Sequence, residues 1–310
     1  MKDKIDEVKE LLGSEEMSSV LRVQSTAMKS ITDFMHDEGF VQLMPVMVSP
    51  VTDPLCHSVY DARIDYAGQE LTLTKSMILH KQVTVSSPFL PKIYVVSPNV
   101  RLEKEELRDS GRHLIEFSQV DIEMREASKE EFMGVMEKLL CKIVGEVKAK
   151  RGKELKALGR ELKVPKRPFK RFESSEARKE FGSDFEKHLS ETMSEPFWIT
   201  DHLREFYDRE DHRVKDYYHN YDLVYPEGFG EALSGGERDW EYEVLARKLE
   251  ERKQKQESFR SYMEMAKRGY LVPSAGGGIG VERLVRFLCG VDDIRKVSPF
   301  AKCPGETFVF

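Results

Sequence analysis

Two stretches far apart in the chain hold residue types suited to a phosphate chain. One is Ala275-Gly276-Gly277-Gly278-Ile279-Gly280-Val281-Glu282-Arg283-Leu284, in which a glycine run passes straight into an apolar segment. Glycines let backbone come close to a ligand, and a following helix N-terminus offers unpaired N–H groups and partial positive charge. Arg283 adds a full, forked one. A glycine run alone reads better as a tight turn before a helix, so it needs a partner. Val100-Arg101-Leu102-Glu103 supplies one, followed after a polar loop by Gly111-Arg112-His113-Leu114-Ile115-Glu116-Phe117-Ser118-Gln119-Val120-Asp121-Ile122-Glu123-Met124. From Glu116 onward polar and apolar residues alternate, the pattern of a half-buried strand. Its polar face is expected to carry Glu116, Ser118 and Glu123, out of strict phase. Lys92 to Pro98 is strand-like too. Two strands joined by a charged loop, with Arg101 and Glu103 on one side, would floor a nucleotide site.

The elements that must position these residues are also legible. Val20, Val23, Ala27, Ile31 and Phe34 recur at helical spacing ahead of Gly39-Phe40 and Met44-Pro45. Residues 1–17 read as a short charged helix with Ile5, Val8, Leu11 and Leu12 on one face. Arg238 to Lys267 reads as one long charged helix with Val244, Leu245 and Leu249 turned inward. Between Lys148 and Arg171 stand eleven Lys or Arg against Glu154 and Glu161. That block reads as a solvated helix and a connector, ended by Pro165 and Pro168, with RNA contact as the alternative.

The 310 residues suffice for a sizeable core, and one domain over 1–310 is expected. A net charge of −6 gives no bulk attraction to nucleic acid. Cys56, Cys141, Cys289 and Cys303 make no CxxC pair, and they read as reduced thiols of a cytoplasmic protein. No signal peptide and no apolar run of about 20 residues is present, so no membrane is implied.

The Arg-x-Glu, loop and Arg-His-x-x-Glu-Phe-x-x-x-Asp-x-Glu string resembles motif 2 of class II aminoacyl-tRNA synthetases, and the glycine run ending in Glu282-Arg283 resembles motif 3. Gly39 to Pro45 is similar to motif 1, which builds the family's dimer interface. Tyr221-Asp222 and Glu231-Ala232-Leu233-Ser234-Gly235-Gly236-Glu237-Arg238 resemble the subgroup activating aspartate, asparagine and lysine. The resemblance implies an α+β fold, an antiparallel sheet flanked by helices, and a homodimer built around residues 20–45. It implies Arg101 and Arg283 as catalytic cations on the α- and γ-phosphates. Phe117 and Arg283 would sandwich adenine, Glu103 would accept from its amino group, His113 would reach the terminal phosphates, and Glu231 and Gly280 would complete the ATP site. Mg²⁺ would sit on Asp222, Glu231 and Ser234; the interval after Asp222 looks long, so Glu227 is a substitute ligand.

Lys75-Ser76-Met77-Ile78-Leu79-His80-Lys81-Gln82 resembles a substrate-binding segment of aspartate enzymes. Lys81 and Arg238 would clamp a carboxylate, with Ser76, Asp121 and Ser234 also on aspartate. Only about twenty residues precede motif 1, too few for the subgroup's anticodon-binding barrel. Transfer to tRNA is therefore not expected, and the chain resembles archaeal asparagine synthetases related to this subgroup. The implied reaction makes asparagine from aspartate and ammonia through an aspartyl-adenylate, releasing AMP and pyrophosphate. Aspartate would lie with its β-carboxylate at the α-phosphorus, a flip that Ile78 suggests. The alternative is a truncated aspartyl- or asparaginyl-tRNA synthetase paralogue acting on tRNA or a protein.

Overall fold

The computed structural model describes residues 2–55, 57–202 and 205–310, so Cys56 lies outside the described residues. The short charged helix, α1 (Lys2–Gly13), stops at Gly13, and Ser14 caps α2 (Glu15–Asp37) by accepting from the Met17 N–H at 3.0 Å. The helical apolar stripe read from the sequence is the buried face of α2, with Val20, Val23, Ala27, Ile31 and Phe34 all inward.

Beyond α2 come β1 (Val41–Leu43), β2 (Val48–Ser49), β3 (Arg63–Tyr66), β4 (Gln69–Leu73) and the short α3 (Ile78–Thr84). The hairpin that follows, β5 (Lys92–Val100) and β6 (Glu116–Arg125), is the backbone of the site. Its connection holds a 3-10 turn, Glu105–Ser110. Ser128 and Glu131 form a capping box that starts α4 (Lys129–Lys150), after which α5 (Gly152–Ala157) and a connector lead to β7 (Lys170–Glu173), α6 (Ser174–Phe181), α7 (Phe185–Thr192) and β8 (Phe197–Thr200). The chain ends with β9 (Asn220–Tyr225), β10 (Gly230–Glu237), α8 (Tyr242–Glu251), α9 (Arg260–Lys267), β11 (Ser274–Gly280) and α10 (Val281–Cys289).

Eight strands make one sheet in the order β1-β5-β6-β11-β10-β9-β8-β7. Its centre is antiparallel as expected, but β1 runs parallel to β5 and β7 parallel to β8, so the sheet is mixed. The helices α2, α4 and α10 bury their apolar faces with Val120, Ile122, Tyr221 and Leu233 of the sheet in the main core. That leaves the other sheet face for the site. One helix was misjudged: Arg238–Lys267 is not continuous. It breaks after α8, where Lys253 takes a φ of 54°, into a 3-10 turn and α9. Leu245 and Leu249 point inward as read, whereas Lys248 is buried on Asp239 and Val244 is only half-buried. No helix among the described residues is long and apolar enough to cross a membrane.

Candidate active site

The site begins on β6. Phe117, Gln119 and Asp121 line a cleft of about 390 Å³, and Glu123 continues the same face beneath it, while Val120, Ile122 and Met124 enter the core. Strand parity therefore corrects the expected polar face: Glu116 and Ser118 lie on the opposite side from Glu123. The true polar face is in strict phase, but its first member is an aromatic ring.

The glycine run is neither a turn nor a loop. It is the strand β11, pairing Gly276 with Glu123 and Gly278 with Asp121. A Cβ at Gly276 would stand 1.9 Å from Glu123 Oε2, and one at Gly278 2.9 Å from Asp121 Oδ1. Glycine is required there because the carboxylates of the neighbouring strand lean across it. Only at Gly280 does the chain turn into α10, whose Arg283 donates to Glu231 Oε1 at 3.1 Å.

At one end of the cleft stand Arg101, Glu103, His113, Phe117, Glu231 and Arg283, together as the sequence suggested. The Arg101 guanidinium lies 5.1 Å from the Phe117 ring centroid, and its Nε donates to the Lys75 carbonyl. Glu103 is buried and meets His57 Nε2 at 3.0 Å, a partner no motif announced. Burial, and then the nearby Arg283 and Arg112, hold the His113 imidazole down to about 4, so it is neutral near pH 7. Glu282, half-buried in the lining of this end, accepts the Ser118 N–H at 3.0 Å from each oxygen, and desolvation pushes its carboxyl up to about 7.

The other end is an alternating chain of buried charges. Lys81 Nζ lies 2.8 Å from Asp121 and 3.8 Å from Glu123; Arg238 lies 3.2 Å from Glu123 and 3.0 Å from Asp208. Lys81 and Arg238 do converge, but they meet through the shared Glu123, and each has a further carboxylate of its own, Asp121 for Lys81 and Asp208 for Arg238. Beside them Asp53 accepts from Ser76 Oγ at 2.9 Å and from the Tyr207 hydroxyl at 3.1 Å. Asp53, Tyr207 and Asp208 were missed, since single polar residues in loops carry no periodicity. Ile78 lines the cleft as well.

Of the three metal ligands suggested, Glu231 and Ser234 line the cleft. Asp222 pairs with Ser234 across β9 and β10 but lies outside the lining, buried beside His202 at 3.3 Å. Glu227 is no substitute: it sits in the β9–β10 turn, paired with Arg160 at 2.6 Å. Residues 226–229 form that turn, and a bulge between Glu231 and Leu233 shifts the register of the pairing. Among the described residues no three His, Cys, Asp or Glu side chains converge as metal ligands.

The family profile described as tRNA synthetases class II (D, K and N) matches residues 8–304. The asparagine–tRNA ligase of Thermoplasma acidophilum is 29% identical over 94% of this chain and 70% of its own length. The aspartate–tRNA(Asp/Asn) ligase of Methanopyrus kandleri is 33% identical over 94% of this chain and 69% of its own. Among solved structures, asparaginyl-tRNA synthetase from Pyrococcus horikoshii complexed with asparaginyl-adenylate has a TM-score of 0.86 at 24% identity, covering 96% of this chain and 71% of that one. These names overturn two expectations. Asparagine synthesis from aspartate and ammonia, with the place in asparagine biosynthesis it implied, is contradicted by relatives that are ligases of tRNA. The exclusion of tRNA as a partner is contradicted by the same relatives. Both expectations leaned on the short stretch before residue 20, which does not decide what accepts an activated acyl group. A match from residue 8 to residue 304 takes in nearly every described element, and the chain accordingly belongs to the class II tRNA synthetases of the D, K and N group.

Proposed function

We propose that the chain activates aspartate or asparagine with ATP and passes the acyl group to a tRNA. One observation carries this reading. Two arginines from separate motifs, Arg101 and Arg283, enter one end of a cleft whose other end is floored by the Lys81–Asp121–Glu123–Arg238 charge chain. In the first step an α-carboxylate oxygen bonds to the α-phosphorus and the bond to pyrophosphate breaks. In the second a terminal tRNA hydroxyl attacks the acyl carbon, loses its proton, and AMP leaves.

Arg101 would offset charge on the α-phosphate, Arg283 that on the γ-phosphate, and Phe117 and Arg283 would hold adenine between them. Glu103, kept in place by His57, would accept from the adenine amino group, and the neutral His113 would donate to a terminal phosphate. Mg²⁺, which binds through one or two carboxylates and phosphate oxygens, would take Glu231 and Ser234 and offset phosphate charge. Asp53, beside Ser76, and Asp121 would receive the amino acid's ammonium. Lys81 and Arg238 favour aspartate; asparagine is the second reading, because Asp121, Glu123 and Asp208 already neutralise both cations. Cys141, Cys289 and Cys303 are free thiols that burial pushes up, which suits a reducing cytoplasm.

The test is pyrophosphate exchange into ATP with each amino acid, followed by charging of tRNA. Exchange dependent on aspartate or asparagine, with AMP as product, supports the reading. Stoichiometric ADP would sink it.

A further inference from the structure

The cleft lies on one face of the sheet, and a marked excess of positive charge lies on the other side, along α4. Residues 148–171 hold eleven Lys and Arg against two Glu, leaving thirty-eight Lys and Arg against fifty-three Asp and Glu elsewhere. A segment of net +9 is thus mounted on a body of net −15.

The structure fixes how that charge is displayed. Leu155, Leu162, Pro165 and Phe169 are buried, the three apolar side chains among them in the same core as α4. The connector runs back along that helix, with Cys141 Sγ on the Pro165 carbonyl and the Phe169 N–H on Glu137 Oε1 at 3.1 Å, until Arg171 pairs with Glu130. With every apolar anchor turned inward, the residues between them must turn out. Lys153, Lys156, Lys163, Lys166, Arg167 and Lys170 are all exposed. None of the six side-chain cations has a carboxylate ion-pair partner among the described residues, although the Lys166 backbone N–H donates to Glu195, whereas the flanking Lys150, Arg151, Arg160 and Arg171 are paired. Lys and Arg normally scatter among acids on a surface; here an otherwise acidic protein keeps them unneutralised on a ridge beside α4, a helix about 30 Å long.

We propose that this ridge docks the phosphate backbone of the tRNA. The inference rests on tRNA being the acceptor. A row of anchored cations fits a regular polyanion, and each phosphate neutralised releases counterions, so binding there must weaken steeply with salt.

The full chain carrying Lys153→Ala, Lys156→Ala, Lys163→Ala and Lys166→Ala is compared with wild type for binding of bulk tRNA at several salt concentrations. Affinity should fall roughly tenfold or more, and the salt slope should drop by about three. The fourfold Lys→Arg variant should bind as wild type does, and amino-acid-dependent pyrophosphate exchange should be unchanged in both. Equal tRNA affinity and slope in the Ala variant would overturn the proposal. So would loss of binding to phosphatidylglycerol vesicles alone, which would mark a membrane surface. If the chain runs exchange without charging tRNA, the acceptor reading fails; the ridge still stands if the Ala variant loses RNA, and falls if it does not.

Discussion

The two ends of the cleft are built on opposite principles. At the end proposed for the amino acid the charges are buried and paired with one another, the Lys81, Asp121, Glu123, Arg238 and Asp208 side chains being at most 4% exposed. At the nucleotide end Arg283 and Glu231 remain 26% and 37% exposed. On the proposed reading, a small ligand would meet a preorganised network whose groups cannot move apart without leaving a buried charge unpaired. A large polyanion would meet cations able to change partners, Arg283 from Glu231 to phosphate. The first end is therefore expected to govern stability and the second to govern rate.

The largest effects should separate the ends most sharply. Glu123→Ala strips the shared carboxylate from Lys81 and Arg238 and should lower unfolding free energy by about 3–5 kcal/mol, read by denaturant titration. Arg283→Ala should leave that titration within about 0.5 kcal/mol while slowing exchange by roughly 100-fold or more. The reverse pattern would erase the contrast.

Gly276→Ala comes next. Its Cβ would meet both Glu123 and the Ile122 carbonyl at 2.5 Å or less, so neither a side-chain hop nor a small backbone shift relieves it. A loss of about 1–3 kcal/mol is expected, again at the amino-acid end.

Glu282 sharpens the comparison, because it lines the nucleotide end yet is half-buried with its carboxyl turned to the Ser118 N–H. Its folded-state value of about 7 lies above the ordinary 4.5, so the folded chain holds that proton more tightly. Its contribution to stability is fully present below pH 4.5 and is lost as pH rises through about 7. Glu282→Gln should remove that slope and gain at most about 3 kcal/mol at pH 8, with thermal unfolding across pH as the check. An unchanged slope would place the titration elsewhere.

How much of this could be read beforehand depended on whether a signal was local. Strand alternation exposed β6, and helical spacing exposed α2, because each element's own residues encode its buried face. Motif order gathered Arg101, Glu103, Phe117, Glu231 and Arg283. The glycine run deceived, since only the position of Glu123 on the neighbouring strand explains why a β-strand should lack side chains. Asp53, His57, Tyr207 and Asp208 reach the site from loops and carry no pattern of their own. Asp222 matched its motif but faces His202, one strand beyond the cleft, while Arg238 to Lys267 looked continuous because charge periodicity continues through a break that only the backbone at Lys253 reveals.

The most direct test of the account is a single experiment on the full chain: charging of tRNA with labelled aspartate or asparagine in the presence of ATP and Mg²⁺. The account predicts aminoacyl-tRNA whose acyl group is stable in acid and released by mild alkali, with AMP formed in equal amount, abolished by Arg101→Ala. Robust exchange of pyrophosphate with no acyl group on tRNA would contradict the proposed acceptor, and no exchange with either amino acid would contradict the site itself.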